Sequence, residues 1–308
     1  MNRRRFLEIA AFSGLGTVTG DLFANRERLV EGCWRGIVMG TEGSITLYAN
    51  GRCNWERLHL ICLQEIQRLE RIFSLYEARS EISCLNRNGR LSQVSPEFFE
   101  VLELSRTVWT MTKGGFNPSV QPMWSLYRDF YDKNTHSNNQ VPVSEIEQII
   151  PKCDFEKVVW SQAHRTVAFS EKGMALTFNG IAQGYITDRI SDLLKEEGFE
   201  HVLVQLGETR AMGSHGSGRS WRIRLNDGQV VSLVDRALAS SGGYGTPFSA
   251  NGKVHHLLNP RTGVSANRFK LLSVLGDRAA FADALSTGLY VTDPVLWPDL
   301  VDVDVITA

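Results

Sequence analysis

The sequence predicts an α+β fold: a single domain of mostly antiparallel strands with packed helices. Three observations lead there. Strand-like stretches come in short, hairpin-length groups rather than in regular βα alternation. Residues 55–73 and 95–113 carry apolar side chains at helical spacing. No Pro-, Gly- or Ser-rich linker divides the chain beyond its N-terminal segment. With 308 residues there is ample chain for one large core. Charged residues make up 22% and the hydrophobic set 43%, at a net charge of −1, a globular mixture without the basic field of a nucleic-acid platform.

Residues 1–24 read as an export address and are set apart from residues 25–308, which form the domain. Arg3-Arg4-Arg5-Phe6-Leu7 precedes an apolar run from Ile9 to Val18, interrupted by Gly14 and Gly16. A membrane-spanning helix needs about 20 apolar residues, and this run is shorter. It resembles a twin-arginine signal, which implies a periplasmic protein exported in folded form, its leader either cleaved or kept as an N-terminal anchor.

The elements follow in chain order. Strands are expected at 35–39 and 44–49. Leu58, Cys62, Ile66, Leu69 and Phe73 share one face of a helix over 55–73. A second helix starts at Ser95 as N-cap with Pro96 behind it and ends at Gly114-Gly115. Residues 131–142 are polar and turn-rich, a surface loop. A short helix at 144–150 stops at Pro151. Strands are expected near 157–160, 166–169 and 174–178, then a helix from Gly180 to Leu194. Further short strands at 201–206, 221–225, 237–240, 254–258 and 271–276 lead to a helix at 280–290.

Several chemistries are absent. No GxxxxGK[ST], HExxH, GxSxG or CxxC occurs. Of seven His only His255 and His256 are adjacent, and strand neighbours face opposite ways. Any metal is therefore expected to be hard and oxygen-bound, Mg²⁺ or Ca²⁺ rather than zinc. Five scattered Cys make no disulfide scaffold.

Three polar, glycine-containing segments remain. Thr177 to Tyr185 turns from an extended stretch into a helix, either a plain tight turn or a helix N-terminus suited to phosphate. His255 to Gly263 places a His before an Asn-Pro-Arg-Thr-Gly turn, either a strand-end His on a loop carbonyl or a proton-handling group. Asp283 and Thr287, one helical turn apart, either solvate a helix start or present a carboxylate and a hydroxyl to Mg²⁺.

Together these segments resemble the ApbE family, the FAD:protein FMN transferases, over roughly 34–292. Met39-Gly40-Thr41 fits that family's early Gly-Thr strand end. Phe73-Ser74-Leu75-Tyr76 with Ser80-Glu81-Ile82-Ser83-x-Leu85-Asn86 fits FSxY…SEIxxLN, and Gly114-Gly115-Phe116-Asn117-Pro118-Ser119-Val120-x-Pro122 fits GxFDPTVxP. Gly180 to Asp188 fits GIAKGYxxD. Leu206-Gly207, Ser241-Gly242-x-Tyr244, His256-x-x-Asn259-Pro260-Arg261-Thr262-Gly263 and Ala282-Asp283-Ala284-Leu285-x-Thr287 complete the order. The resemblance implies Mg²⁺-dependent transfer of FMN from FAD to a Thr or Ser hydroxyl of another protein, with AMP released. By position, Gly180, Asp283, Ser286 and Thr287 would hold the metal. Met39, Tyr76, Phe116, Asn117, Pro118, Thr177, Gln183 and Leu258 would contact the flavin nucleotide, and His256 would take the acceptor's proton. The implied acceptor is a flavoprotein with a Ser/Thr-Gly-Ala-Ser/Thr-like motif, a membrane-bound respiratory subunit such as those of nitrous oxide respiration. The chain departs from the family pattern at Thr177, Asn117 and Asn259 (usually Asp), Gln183 (usually Lys) and Glu208 (usually Gly). These departures leave two other readings, a non-catalytic FAD-binding accessory protein and a FAD pyrophosphatase.

Overall fold

The computed structural model describes residues 29–50, 53–134 and 140–308. The export segment at 1–24 lies outside the described residues. The elements are β1 (Val30–Val38), β2 (Thr41–Ala49), α1 (Trp55–Phe73), α2 (Glu81–Asn88), β3 (Arg90–Ser92), α3 (Pro96–Met111), α4 (Gln121–Lys133), α5 (Val143–Ile149), β4 (Val158–Ser161), β5 (Thr166–Phe169), α6 (Ala182–Glu196), β6 (His201–Gln205), β7 (Thr209–Met212), β8 (Trp221–Arg224), β9 (Val230–Leu233), β10 (Ala237–Ser241), β11 (Leu272–Gly276), α7 (Ala279–Val291) and β12 (Asp304–Thr307).

Seven strands form one sheet in the order β1-β2-β6-β7-β10-β11-β12, and every pairing in it is antiparallel. The first hairpin turns on Met39 and Gly40, both at positive φ (50° and 83°), as a two-residue turn between twisted strands demands. Side-chain alternation separates the two faces. Val202, Val204, Met212, Ala239 and Val274 point to the large core shared with α1, α6 and α7. Leu203, Ala211, Leu238 and Leu275 point the other way, to a smaller core closed by Trp221 and Leu233 of the β8–β9 hairpin. The α+β expectation holds, with helices on one face of an antiparallel sheet.

Some local expectations do not. The stretch 174–178 is not a strand. Its backbone is held by an asparagine, whose amide donates to the Leu176 carbonyl (2.8 Å) and accepts from its N–H (2.7 Å), this being Asn86. Residues 254–258 make only isolated bridges, Pro247 to His255 and Leu258 to Ser265. The polar stretch 131–142 begins inside α4, which runs to Lys133. The end of α3 puts both Lys113 (φ 50°) and the expected Gly114 (φ 83°) at positive φ, so the left-handed turn starts one residue before the glycine. The Lys113 N–H reaches the Thr110 carbonyl, and that of Gly114 reaches Trp109, the two bonds of a Schellman motif. Among the described residues no helix is long and apolar enough to cross a membrane.

Candidate functional site

The entry to α6 is irregular, and the irregularity frees polar groups. Phe178 is fully buried, its ring edge-on to Phe73 and Phe98 (centroids 5.9 and 5.1 Å), which anchors the segment just before the turn. Thr177 N–H donates to the Pro118 carbonyl (2.8 Å), tying the segment to the 116–118 loop. Ile181, at φ −156°, is the N-cap. Helical geometry would aim the Gly184 N–H at the Gly180 carbonyl. It donates instead to Asp283 Oδ2 (3.2 Å). Among the described residues no backbone hydrogen bond reaches the Gly180 carbonyl. Both glycines are needed for closeness: a Cβ on Gly184 would sit 2.4 Å from the Ala279 carbonyl oxygen, and one on Gly180 3.0 Å from Thr287 Oγ1.

Asp283 and Thr287 reach the glycine turn because α7 is pinned at its start. Buried Asp188, on α6, accepts the Ala279 and Ala280 N–H groups on its two carboxylate oxygens (3.0 Å each). Arg210 and Arg278 pair with the same carboxylate (3.1 and 3.3 Å). Asp188 thus caps a helix N-terminus with a charge that two guanidinium groups offset. Further along α7, Ser286 donates to its own helix, to the Asp283 carbonyl (3.0 Å), so it accepts from Ser241 (2.8 Å). Ser241, having donated there, accepts from Thr287 (3.3 Å). The Thr287 lone pairs are left facing Gly180, while the Ser286 hydroxyl is engaged within this chain of bonds.

Burial acts on two carboxylates, those of Asp283 and Glu208. Asp283 is 5% exposed, and burial pushes its carboxyl up to about 7. Burial, and then the charge of Asp283, raise Glu208 well above the carboxylate range. The remaining groups line a cleft. Phe116, Asn117, Pro118, Thr177, Gly180, His256, Leu258 and Thr287 all border it. His256 donates its backbone N–H to the Thr246 carbonyl (3.1 Å), and its Nδ1 has no partner. Burial, helped by repulsion from His255, lowers its imidazole to about 4, so it is neutral near pH 7. The Asn117 side chain is spent on its own loop, accepting from Ser119 N–H (2.9 Å) and donating to the Cys153 carbonyl (2.8 Å). Asn rather than Asp stands there because only the amide can donate. Asn259 accepts from Arg261 N–H (2.9 Å), a role that needs only an oxygen.

Three residues expected to touch the nucleotide lie outside this lining. Gln183 donates to Thr41 Oγ1 (3.0 Å) and covers Gly207, joining the Met39–Thr41 turn to α6. Met39 N–H is held by Glu70 (2.8 Å). Tyr76, beyond the end of α1, is 68% exposed. The sequence reading assigned no role to Ser241 or Asp188. Asp188 follows Gly184 by one helical turn, which was the available signal.

The converging donors test which metal would fit. They are a carboxylate, a hydroxyl and a bare main-chain carbonyl, all oxygen. Among the described residues no three His, Cys, Asp or Glu gather as a metal set. That chemistry suits Mg²⁺, which keeps waters and shares substrate phosphates.

Known proteins resemble this chain over most of its length. The model of the ApbE family matches residues 39–307. The FAD:protein FMN transferase of Treponema pallidum is 28% identical over 253 residues, spanning 73% of this chain and 68% of its own length. That of Chlamydia pneumoniae is 25% identical over 234 residues, 73% of each chain. Among solved structures, the flavin transferase ApbE from Vibrio cholerae superposes with a TM-score of 0.74 at 21% identity, covering 91% of this chain and 93% of that one.

Proposed function

This chain belongs to the ApbE family, and from that membership we propose that it is a transferase moving FMN from FAD to a Thr or Ser hydroxyl of a target protein, with Mg²⁺ required and AMP released. The observation that carries the reading is that Asp283 takes the Gly184 N–H, leaving the Gly180 carbonyl without a backbone partner, while Gly180 and Thr287 border the cleft that His256 also lines.

In the reaction a P–O bond forms between the acceptor oxygen and the FMN phosphorus. The bond from that phosphorus to the bridging oxygen breaks, and AMP leaves with that oxygen. Asp283, Thr287 and the Gly180 carbonyl would hold Mg²⁺, with Ser286 reaching it only through rearranged hydroxyls. Bound there, the ion supplies positive charge beside the pyrophosphate. His256, neutral and with a free ring nitrogen, takes the acceptor's proton. Phe116, Pro118 and Leu258 give the cleft an apolar wall that limits water, the competing nucleophile of a pyrophosphatase. Thr177 keeps its hydroxyl proton free for the nucleotide, since its oxygen accepts from Asn179 N–H (3.2 Å). Asn117 would act by holding the 116–118 loop in place, and Met39, Tyr76 and Gln183 would meet the donor only beyond the cleft lining. The acceptor is a flavoprotein with a Ser/Thr-Gly-Ala-Ser/Thr-like motif, and the basic leader would bring the enzyme to periplasmic, membrane-bound targets.

Incubation with FAD, Mg²⁺ and such an acceptor is expected to give a fluorescent covalent flavoprotein and one AMP per flavin attached. Undiminished attachment in EDTA would overturn the metal assignment. AMP and free FMN without acceptor labelling would indicate hydrolysis, and tight FAD binding without AMP would indicate an accessory protein.

A further inference from the structure

We propose that a basic groove on the β8–β9 hairpin holds an acidic segment of the acceptor protein; the inference rests on the transferase reading above and concerns how that site's partner is recognised. The groove measures about 400 Å³ and is walled by Arg219, Arg222, Arg224, Trp221, Val230 and His215. Along β8, Trp221 is buried while Arg222 and Arg224 are exposed. Their cross-strand partners on β9 are Ser232 and Val230, not acids. Arg219, also exposed, comes from the turn before β8. Among the described residues none of these three guanidinium groups has an ion pair. Arg224 makes one long bond, to the Gly228 carbonyl of its own hairpin (3.4 Å). Trp221 is 4% exposed, and its indole N–H has no acceptor. The wall that carries Arg219 is fixed from behind. Tyr48 donates its one proton to Glu31 (2.7 Å), so it accepts from His215 Nε2 (2.7 Å), and His215 Nδ1 accepts from Ser217 N–H (3.2 Å). Glu31, the acid on this side, is thereby engaged with Tyr48.

On a chain of net charge −1 these arginines are a local excess of positive charge. A groove walled by one sign of charge concentrates anions, and each guanidinium can take a carboxylate on two N–H groups. The hairpin tip ties the groove to the cleft. Asn226, two residues beyond Arg224, donates to the Tyr244 hydroxyl (2.5 Å). Tyr244 lies across Gly242, where a Cβ would sit 2.2 Å from its ring. The next residue, Gly245, packs on His256: a Cβ there would lie 3.3 Å from the imidazole Cε1. His256 N–H bonds the Thr246 carbonyl of the same segment (3.1 Å). An unbroken run of contacts thus leads from Arg224 to the group assigned the acceptor's proton. The FAD diphosphate is accounted for near Asp283, on the helix-covered side, whereas β8 and β9 close the core on the opposite face of the sheet. What remains to fill the groove is the part of a protein substrate that continues past its hydroxyl. A concave site joined to the cleft fits such a segment better than it fits a flat lipid surface.

The test uses two fluorescent peptides and the full-length protein, with binding followed by anisotropy in the presence and absence of FAD and Mg²⁺. Both peptides carry the Ser/Thr-Gly-Ala-Ser/Thr-like motif, one between flanks rich in Asp and Glu, the other between Ser/Gly flanks. Flanks of about ten residues reach about 33 Å when extended. Wild type is expected to bind the acidic peptide about tenfold more tightly, and added salt to shrink the difference. Arg222→Glu with Arg224→Glu should abolish that preference. Arg222→Gln with Arg224→Gln should remove most of it, with thermal unfolding near that of the wild type. Arg79→Glu with Arg90→Glu makes the same change in net charge at exposed positions elsewhere and should keep the preference. Equal affinity of wild type for the two peptides, or equal loss in the Arg79 and Arg90 pair, would overturn the proposal. Binding to phosphatidylglycerol vesicles through Arg222 and Arg224, without preference between the peptides, would overturn it in favour of a lipid surface. FMN attachment to the same peptides is scored separately. Preference for the acidic peptide with no FMN attached to either would sink the transferase reading and keep the groove as a site for acidic segments.

Discussion

His256 shows how burial prepares a single side chain for its work. Its imidazole is lowered from an ordinary 6.5 to about 4, so it stays an acceptor in mildly acidic solution. At saturating Mg²⁺ the acid limb of kcat/KM is expected well below pH 6; a limb at 6.5 would show an ordinary exposed imidazole in its place. Replacing it, His256→Gln, should cut turnover about 10²- to 10⁴-fold with little change in FAD binding. The same shift bears on folding. The unfolded chain takes up a proton between pH 6.5 and 4 that the folded chain refuses, so stability from this residue is full above 6.5 and lost as pH falls through that window. Asn117 makes a different point. Asn117→Asp removes the donor to the buried Cys153 carbonyl. Denaturant unfolding should register a loss of about 1 kcal/mol.

At the scale of elements, the α6–α7 pair builds the site. Gly184→Ala would push a methyl into the Ala279 carbonyl and part the two helices. Urea unfolding should show about 1–3 kcal/mol lost, and Asp283 would lose the Gly184 N–H. Both helices were legible in the sequence, because their apolar residues recur at helical spacing and a glycine turn opens α6. The pairing of Asp283 with Thr287 was legible too, since one helical turn separates them. The strand expected at 174–178 was not there, because apolar alternation cannot say whether a neighbour is another strand or, as here, the side chain of Asn86. α4 went unseen because its polar end, Tyr131–Lys133, reads as loop composition. The clamp of Asp188 on α7 was hidden because it joins residues 91 positions apart.

Across the whole molecule, the antiparallel sheet sets the distances the chemistry needs. β10 carries Ser241 to the helix face, β7 carries Arg210 there, and the 246–265 loop brings His256 to the cleft. The order of the strands was not readable from the chain, because β2 pairs with β6 across some 150 residues of intervening sequence. What the sequence did hold was the set of short segments that this order draws together. In the proposed reaction Asp283 anchors Mg²⁺-dependent transfer of FMN onto a protein hydroxyl. The most direct measurement is the intact mass of an acceptor protein after incubation with FAD and Mg²⁺, using wild type and Asp283→Ala side by side. Wild type is expected to add one FMN unit per acceptor, and Asp283→Ala, still folded by its circular dichroism, to add none. Equal addition by the two proteins would contradict that role of Asp283.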